Sequence, residues 1–373
     1  MTTHSRALRV HTYPLRTPDD IEALRTDARR GRLVLADIVA VTGKTEGPGG
    51  PDDDSRTAID SAIRGLLHET GVRSDGEIAA VPMNFSGGSG GVISPHFTVF
   101  LSAEPDDAEL AAAEPRLRLG RSVSRRLRPD ELGRMPMVTA IDEAVRDALR
   151  DGGLSADQAM YAMVKNPMLT PRLIEEAARE GLDLIHPPTG MSALFKQSGG
   201  AALGAAQALG DLVATSEQIG TDPALYSARV SASSGAESDR AQTVVFGNAP
   251  GVPGHLSAGY AAMRDALDVS ALHRACRAAG LDVADFADPA TFAHRVAAMF
   301  VKCNPTDDAT LRGYPQVQRG GGLDTSYTTQ LKASVGGMFA AALGNPAFYI
   351  SGAGIHQGAP GGGSVVVIVD HRA

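Results

Sequence analysis

The chain has 373 residues, of which 43% are hydrophobic, and a formal net charge of -8 with acidic and basic residues interspersed. Its length exceeds one ordinary domain, and no apolar run is long enough to cross a bilayer. The sequence contains neither a basic stripe for nucleic acid nor a polybasic membrane anchor. A small molecule or a second copy of the chain is therefore the predicted partner.

The cysteine content and the first residues bear on the cellular compartment. Cys276 and Cys303 are too few for a disulfide framework, and no apolar signal region follows the first residues. A reducing cytoplasm is the predicted location.

The first predicted unit covers residues 1–104. Thr17 is a suitable N-cap for a helix because Pro18 follows it at the first helical position. The other predicted elements are a strand at 8–13, a strand ending at Lys44, a helix at 57–70, a strand ending at Ser86 and a strand at 97–101. An acidic, alanine-rich connection at 104–115 marks the end of the unit.

Two further units, residues 115–247 and 255–373, repeat this order of elements. The second has predicted helices at 137–149, 171–180 and 199–212, strands ending at Lys165 and Ser234, and a strand at 244–246. The third has predicted helices at 258–267, 270–279 and 328–343, strands ending at Lys302 and Ser351, a glycine-rich linker at 319–322 and a last strand at 365–369. Alternating strands and helices predict an α/β fold.

A Ser-Gly pair at the end of a strand occurs once in each unit. The three pairs are Ser86-Gly87, Ser234-Gly235 and Ser351-Gly352, and each follows an upstream strand that ends in a lysine, namely Lys44, Lys165 and Lys302. Such an internal repeat predicts three related units that close around a pseudo-threefold axis. The three pairs then converge on one site.

Serine and lysine together predict nucleophilic chemistry at that site. A serine hydroxyl needs a base to take its proton, and a lysine can act as that base once burial and neighbouring cations have lowered its pKa. The glycine after each serine lets a backbone N-H approach a substrate oxygen. Any one pair alone is more often a turn beside a solvated lysine, but three ordered recurrences favour a functional site.

Four segments resemble the cyanuric acid hydrolase/barbiturase family of ring-opening amidohydrolases. They lie at residues 38–47, 54–56, 86–96 and 351–363, and the resemblance extends from Val10 to Val369. It implies three structurally related α/β units around a pseudo-threefold axis, a toblerone-type fold, usually assembled as a homotetramer. It also implies hydrolysis of a cyclic amide or imide by a Ser/Lys dyad from the middle unit.

The resemblance also implies a role for each site residue. Ser234 is the implied nucleophile, Lys165 is its general base and later protonates the departing ring nitrogen, and Gly235 contributes a backbone N-H. The remaining ring carbonyls are implied to be held by Ser86, Gly87, Ser351 and Gly352, with Lys44 and Lys302 beside them.

The sequence departs from the family at the arginines that contact the ring. The family has one arginine per unit, but only Arg56 is retained here. Lys332 replaces it in the third unit, and the alignment of the second unit is ambiguous between Lys196 and Ser198. Because lysine lacks the planar fork of arginine, these changes predict a barbiturate-like or otherwise less symmetric ring rather than cyanuric acid.

A second departure concerns a structural metal. The family has a glutamate two residues after the third lysine, which binds a divalent cation together with carbonyls of the His356-Gln357-Gly358 loop. Asn304 stands at this position and brings no charge. No cofactor is required by this prediction, and Mg²⁺ or Ca²⁺ at Asn304 and Gln357 becomes the weaker expectation.

Three alternatives stay open from the sequence. The chain is a cyanuric acid hydrolase proper, an enzyme that rearranges a polar ring without hydrolysis, or a binding protein for such a ring. His96, His255 and His356 are expected to fix loops by hydrogen bonding, because the dyad already supplies a base.

Overall fold

Three similar four-stranded mixed sheets form the framework of the chain. The computed structural model describes residues 6–373 apart from residues 51–52, 89, 112–113, 284–287, 317–325 and 353 and the side chain of Met191. The first sheet contains β1 (Ala7–Pro14), β2 (Ile38–Lys44), β3 (Met83–Ser86) and β4 (His96–Ala103). The second contains β5 (Arg116–Arg126), β6 (Ala159–Pro167), β7 (Val230–Gly235) and β8 (Arg240–Ala249). The third contains β9 (Leu256–Met263), β10 (Val296–Cys303), β13 (Tyr349–Gly352) and β14 (Gly363–Asp370), and a short hairpin pairs β11 (Thr310–Leu311) with β12 (Tyr314–Pro315).

The three sheets share one topology. Their strand orders are β1-β4-β2-β3, β5-β8-β6-β7 and β9-β14-β10-β13. In each sheet the second and third strands of the unit run parallel and the other neighbours run antiparallel. Each second strand also has an irregular register near its start, as between Ile38 and Ala40. These shared features confirm the predicted class of three related α/β units.

Helices cover the outer faces of the sheets. They are α1 (Glu22–Arg29), α2 (Ser55–Glu69), α3 (Asp75–Ala79), α4 (Asp107–Leu110), α5 (Met135–Gly152), α6 (Pro171–Glu180), α7 (Gly190–Ala208), α8 (Ser270–Ala278) and α9 (Tyr327–Leu343). Each sheet has its own apolar core against its helices, built from buried residues that recur at helical spacing.

A fourth core joins the three sheets at their inner faces. Phe100 of β4, Phe246 of β8 and Phe300 of β10 are fully buried within it, together with Tyr161 and Tyr349. The ring of Phe246 lies 5.2 Å from the ring of Phe100 and 5.2 Å from that of Phe300, measured between centroids. Because each sheet supplies one of these phenylalanines, this core holds the units together.

Two sequence predictions of secondary structure were wrong. The helix predicted at 258–267 is strand β9, which pairs antiparallel with β14; its alanines favour a helix, but this strand completes the third sheet. The helix predicted to start at Thr17 begins at Glu22, because residues 17–20 form a turn closed by a hydrogen bond from the Asp20 amide to the Thr17 carbonyl.

Other predicted boundaries moved less or fall outside the description. Helix α7 begins nine residues before the predicted start at residue 199. The predicted linker at 319–322 lies outside the described residues. The unit boundaries stay a prediction, and the strands of the three sheets fall within 7–103, 116–249 and 256–370. No helix in the described part of the chain is long and apolar enough to cross a membrane.

We expect Phe300→Ala to lower the free energy of unfolding by about 3–5 kcal/mol, because it removes a buried aromatic ring from the core shared by the three sheets. The measurement is urea unfolding followed by circular dichroism. Val34→Ala is the control, since Val34 is 57% exposed and its truncation is expected to change the free energy by less than about 0.5 kcal/mol. Equal effects of the two variants would contradict a shared central core.

Candidate active site

A cavity of about 750 Å³ is lined by residues of all three units. The predicted site residues among its lining are Arg56, Ser86, Gly87, Lys165, Ser234, Asn304, Lys332, Ser351 and Gly352. They come from the ends of neighbouring strands and from the helices that follow them. The structure therefore brings most of the predicted site residues together around one space.

Five predicted site residues do not line this cavity. They are Lys44, Lys302, Gly235, Gln357 and Lys196. The first four are buried directly behind its wall. Lys196, by contrast, points away from the cavity toward the chain around Gly220, and its ammonium group donates to the His186 carbonyl at 3.2 Å.

Strand register shows which serines are equivalent. Lys44 lies beside Ser86 in the β2/β3 pair, and Lys302 lies beside Ser351 in the β10/β13 pair. In the β6/β7 pair Lys165 lies beside Ser233, whereas Ser234 lies beside Asn166. Because successive side chains of a strand point to opposite faces, Ser233 shares the face of Lys165, and Ser234 lies on the other face.

Contacts between the units support the same equivalence. The Lys165 ammonium group donates to the carbonyl of Phe85, the residue before Ser86, at 2.8 Å. The Lys302 ammonium group donates to the carbonyl of Ala232, the residue before Ser233, at 3.3 Å. The hydroxyl of Ser86 donates to the carbonyl of Ile350, the residue before Ser351, at 3.1 Å. Ser86, Ser233 and Ser351 thus form one ring around the axis.

The hydroxyl of Tyr349 lies among these three serines. It is 3.1 Å from the Ser233 Oγ, and the Ser233 Oγ is 3.2 Å from the Ser351 Oγ. Interactions with the serine hydroxyls lower the pKa of Tyr349, but burial outweighs them and raises it overall. Tyr349 is therefore a neutral phenol that hydrogen bonds to the serine ring.

A buried charge cluster surrounds Lys165. The Glu237 carboxylate lies 3.1 Å from the Lys165 Nζ and 3.3 Å from the Arg56 Nε. Burial lowers the pKa of Lys165 to about 8, with Glu237 raising it and Arg56 lowering it. Burial acts to raise the pKa of Glu237, but the charges of Lys165 and Arg56 outweigh it and hold that pKa below its usual value.

The Ser234-Gly235 segment passes directly under this cluster. A side-chain carbon on Gly235 would lie 2.6 Å from the Lys165 Nζ and 1.8 Å from a Glu237 carboxylate oxygen. Only glycine leaves room for both side chains at this point. The hydroxyl of Ser234, meanwhile, accepts a hydrogen bond from the Asn166 amide at 2.8 Å.

The other buried lysines have different surroundings. Burial, with a smaller effect of the Lys332 charge, lowers the pKa of Lys302 to about 7. Burial lowers the pKa of Lys44 well below its usual value, again with the help of Lys332. The ammonium group of Lys302 is 3.1 Å from the Ser351 Oγ, and that of Lys332 contacts the Gly88 carbonyl.

Each cavity wall combines a helix of one unit with a strand-end loop of another. On α2 of the first unit, Arg56 contacts Glu237 of the second. On α9 of the third unit, Lys332 contacts Gly88 of the first. On α7 of the second unit, a side-chain carbon on Gly199 would lie 2.9 Å from Ile355 of the third.

Ser198 is the counterpart of Lys332 in the second unit. Gly199 on α7 approaches Ile355, four residues after Ser351, just as Ala333 on α9 approaches Gly90, four residues after Ser86. Ser198 and Lys332 each stand one residue before these contacts, and both line the cavity. Phe195, one helical turn before Ser198, also lines it.

Sequence reasoning missed several residues of the site, namely Ser233, Glu237, Asn166, Tyr349 and Phe195. Two of them had a local signal, because Ser233 and Glu237 lie within three residues of Ser234. Asn166, Tyr349 and Phe195 acquire their roles through strand pairing and helix packing between distant parts of the chain.

A family model described as "Amidohydrolase ring-opening protein" matches residues 9–370. The chain belongs to this family. The amidohydrolase is 38% identical to Barbiturase 2 of Nocardioides sp., over 99% of this chain and 100% of that protein. It is 35% identical to the cyclic amide hydrolase of Azorhizobium caulinodans, over 96% of this chain and 98% of that protein.

The fold of the amidohydrolase matches that of a solved cyanuric acid hydrolase. The two superpose with a TM-score of 0.90 and 30% sequence identity, covering 98% of this chain and 100% of the other. These matches confirm the resemblance, the toblerone fold and the prediction of a hydrolase that acts on cyclic amides.

Three histidines of the amidohydrolase fix loops by hydrogen bonding. His96 Nδ1 is 2.8 Å from the Ser94 carbonyl, and burial lowers the pKa of His96 to about 4. His255 Nδ1 is 2.6 Å from the Glu109 carboxylate. His356 Nε2 accepts from the Gly220 amide at 2.9 Å, and its Nδ1 is 2.6 Å from the Leu225 carbonyl.

The Asn304 side chain hydrogen bonds to the loop that was predicted to bind a divalent cation with it. The Asn304 amide donates to the carbonyl of Gln357 at 2.9 Å and lies 3.5 Å from that of Ala359. These acceptors fix the orientation of the amide, because its oxygen would repel them. The Gln357 carbonyl, which was predicted to bind the metal, thus accepts a hydrogen bond from the Asn304 amide. Asn304 also brings no charge that replaces the glutamate found in the family.

We expect chelation by EDTA to leave the thermal unfolding midpoint of the amidohydrolase unchanged. Asn304→Ala is expected to lower the free energy of unfolding by about 1–3 kcal/mol, since it removes the amide that donates a hydrogen bond to the buried Gln357 carbonyl. Both are measured by differential scanning fluorimetry and urea unfolding.

The matched variant is Asn304→Glu, which restores a charged oxygen ligand. Its unfolding midpoint is expected to rise when Mg²⁺ or Ca²⁺ is added, because the cation neutralises the new carboxylate. A midpoint of the unaltered protein that falls in EDTA would show instead that Asn304 holds a metal.

Proposed function

We propose that the chain opens a cyclic amide or imide by hydrolysis, with Ser233 as nucleophile and Lys165 as general base. One observation carries this assignment: of the three lysines that end strands, Lys165 lines the cavity, whereas Lys44 and Lys302 lie behind its wall. Ser233 lines the cavity on the same face of the second sheet. The pKa of Lys165, near 8, leaves a neutral fraction that can accept a proton.

The reaction follows from these positions. Neutral Lys165 takes the proton of Ser233 as the serine oxygen attacks a ring carbonyl carbon. Backbone N-H groups that follow Ser233 are the proposed donors to the developing oxyanion. The ring C-N bond then breaks, and protonated Lys165 gives its proton to the departing nitrogen. Water, deprotonated by Lys165, hydrolyses the acyl ester and regenerates Ser233, so that the product gains one water.

The choice of Ser233 differs from the sequence prediction of Ser234. Ser233 is supported by its register beside Lys165 and by its place in the serine ring with Ser86 and Ser351. Ser234 also lines the cavity, but its hydroxyl accepts from Asn166. The role predicted for Ser234 is therefore kept as an outcome of the test.

A second candidate pair has one specific observation in its favour. Lys302 Nζ and Ser351 Oγ are hydrogen bonded at 3.1 Å, and the pKa of Lys302 is about 7. Lys302 does not line the cavity. We therefore assign this pair to binding of a ring carbonyl, together with Ser86.

The walls of the cavity support a ring of low symmetry. Arg56 and Lys332 present cations from the first and third units, whereas the second unit presents the Ser198 hydroxyl and the Phe195 ring. Cyanuric acid has three equivalent edges, whereas barbituric acid has two N-H edges and one carbon edge. A barbiturate-like substrate therefore fits the site better, in keeping with the name of the relative from Nocardioides. The homotetramer stays a prediction from the family resemblance.

We expect Ser233→Ala to reduce turnover by at least about a thousandfold, because the nucleophile is lost. Ser234→Ala, the matched control, is expected to retain turnover within about tenfold, since it removes a neighbouring hydroxyl that does not attack the ring. Turnover is followed by loss of ring ultraviolet absorbance for barbituric acid and cyanuric acid, and the product mass must increase by one water.

Four outcomes would change this assignment. Loss of turnover in Ser234→Ala alone would restore Ser234 as nucleophile. Comparable loss in Ser351→Ala alone would favour the pair with Lys302. Ring binding without turnover in the unaltered protein would indicate a binding protein, and a product of unchanged mass would indicate a rearrangement.

The pH dependence of kcat tests Lys165. Because the reaction needs its neutral form, kcat is expected to rise with pH through about 8. Glu237→Gln removes the carboxylate that raises this pKa and leaves Arg56, which lowers it, so the midpoint is expected to move down by about one pH unit. Glu237→Asp keeps the charge and is expected to hold the midpoint near its original value.

A kcat that falls as pH rises through this range would show instead that the protonated form of Lys165 is the active one. In that case Glu237→Gln would shift the falling part of the pH profile to lower pH. A neutral active form is therefore recognised by a kcat that rises with pH, and a protonated one by a kcat that falls.

A further inference from the structure

One wall of the cavity is apolar. It consists of Leu194 and Phe195 on α7, Pro223 from the loop after α7, and Ile355 after β13, and this set is called the apolar wall below. All four line the same cavity as Arg56, Lys165 and Lys332. Three of them, Leu194, Phe195 and Ile355, are half-buried and so keep part of their surface free.

Packing holds the apolar wall in place. Gly199, one helical turn after Phe195, is in close approach to Ile355. The loop that contains Pro223 is tied to the neighbouring His356, whose Nε2 accepts from the Gly220 amide and whose carbonyl accepts from the Ser227 amide at 3.1 Å. The apolar wall is thus a built surface.

The size of the cavity matters for what this wall binds. A volume of about 750 Å³ lies within the range of about 300–1,000 Å³ that accommodates drug-sized ligands. An unsubstituted six-membered ring fills a small part of that space. Contact with the three serines at one end leaves room beside the apolar wall for further ligand atoms.

We infer that the apolar wall binds the carbon edge of the substrate ring and an alkyl group attached to it, so that the preferred substrates are 5-alkyl barbiturates. This inference rests on the proposed function. Phe195 is then a specificity-determining residue, because it lines this wall beside Ser198, which stands where the third unit has Lys332 and gives the ring no cation. Arg56 and Lys332 face the polar edges, where carbonyl oxygens accept their hydrogen bonds.

The test compares barbituric acid, 5-butylbarbituric acid and cyanuric acid on the unaltered protein, Phe195→Ala and Ser198→Arg. For the unaltered protein we expect kcat/KM to be at least about tenfold higher for the butyl compound than for barbituric acid, since buried methylene groups add binding. Phe195→Ala is expected to lose most of this preference. Ser198→Arg places a cation where the third unit has Lys332 and is expected to shift relative preference toward cyanuric acid by about tenfold or more; its thermal midpoint establishes that it folds.

Controls separate this inference from the proposed function and from misfolding. Val213→Ala truncates an apolar side chain that is 78% exposed and is expected to leave all three kcat/KM values unchanged. Thermal midpoints establish that the Phe195 variants fold. Dissociation constants, measured by calorimetry on Ser233→Ala with and without Phe195→Ala, are expected to show the same tenfold preference in the presence of Phe195.

Each result decides the matter. Turnover of barbituric acid that equals or exceeds that of the butyl compound overturns the inference and leaves the proposed function intact. A butyl preference that persists in Phe195→Ala also overturns it. If no ring is opened, the proposed function fails, and the dissociation constants alone then support or overturn the apolar wall as the alkyl site.

Discussion

Burial of several cations around one cavity is the constraint on which the site depends. Lys44, Lys165, Lys302 and Lys332 are each at most 8% exposed, and burial next to like charges disfavours their charged forms. The Glu237 carboxylate offsets this cost for Lys165 and Arg56 at once. Asp53 also raises the pKa of Lys44, Lys165 and Lys332, and its carboxylate fixes the loop before α2 through the amides of Gly49 and Ser55.

The result is a repeated backbone with unequal electrostatics. Register places Lys44, Lys165 and Lys302 in equivalent positions, yet within the described residues only Lys165 has a carboxylate in direct contact. That carboxylate raises the pKa of Lys165 against the effect of burial. Differences on the surrounding helices add to this inequality, because Arg56, Ser198 and Lys332 give the three walls different chemistry around serines that keep one arrangement.

Much of the fold followed from patterns that the sequence repeats, since strands ending in lysine and in Ser-Gly recur three times. The composition held a further signal, because four of only five lysines in the chain are at the site. Alignment on Ser-Gly pairs selected Ser234, whereas strand pairing selects Ser233, and pairing depends on hydrogen bonds that no short motif encodes. Strand β9 was missed because alanine favours helices and its pairing with β14 overrode that preference. Glu237 and Phe195 depend on contacts between units.

The way the walls are shared between units bears on how the chain folds during synthesis. Helix α2 is synthesised before the loop of the second unit that it covers, and α7 before the loop of the third. The loop at Gly88, however, is covered by Lys332 of α9, which lies more than two hundred residues further along. The first serine loop to leave the ribosome thus stays uncovered for the longest part of synthesis, and the catalytic pocket exists only once the polypeptide is nearly complete.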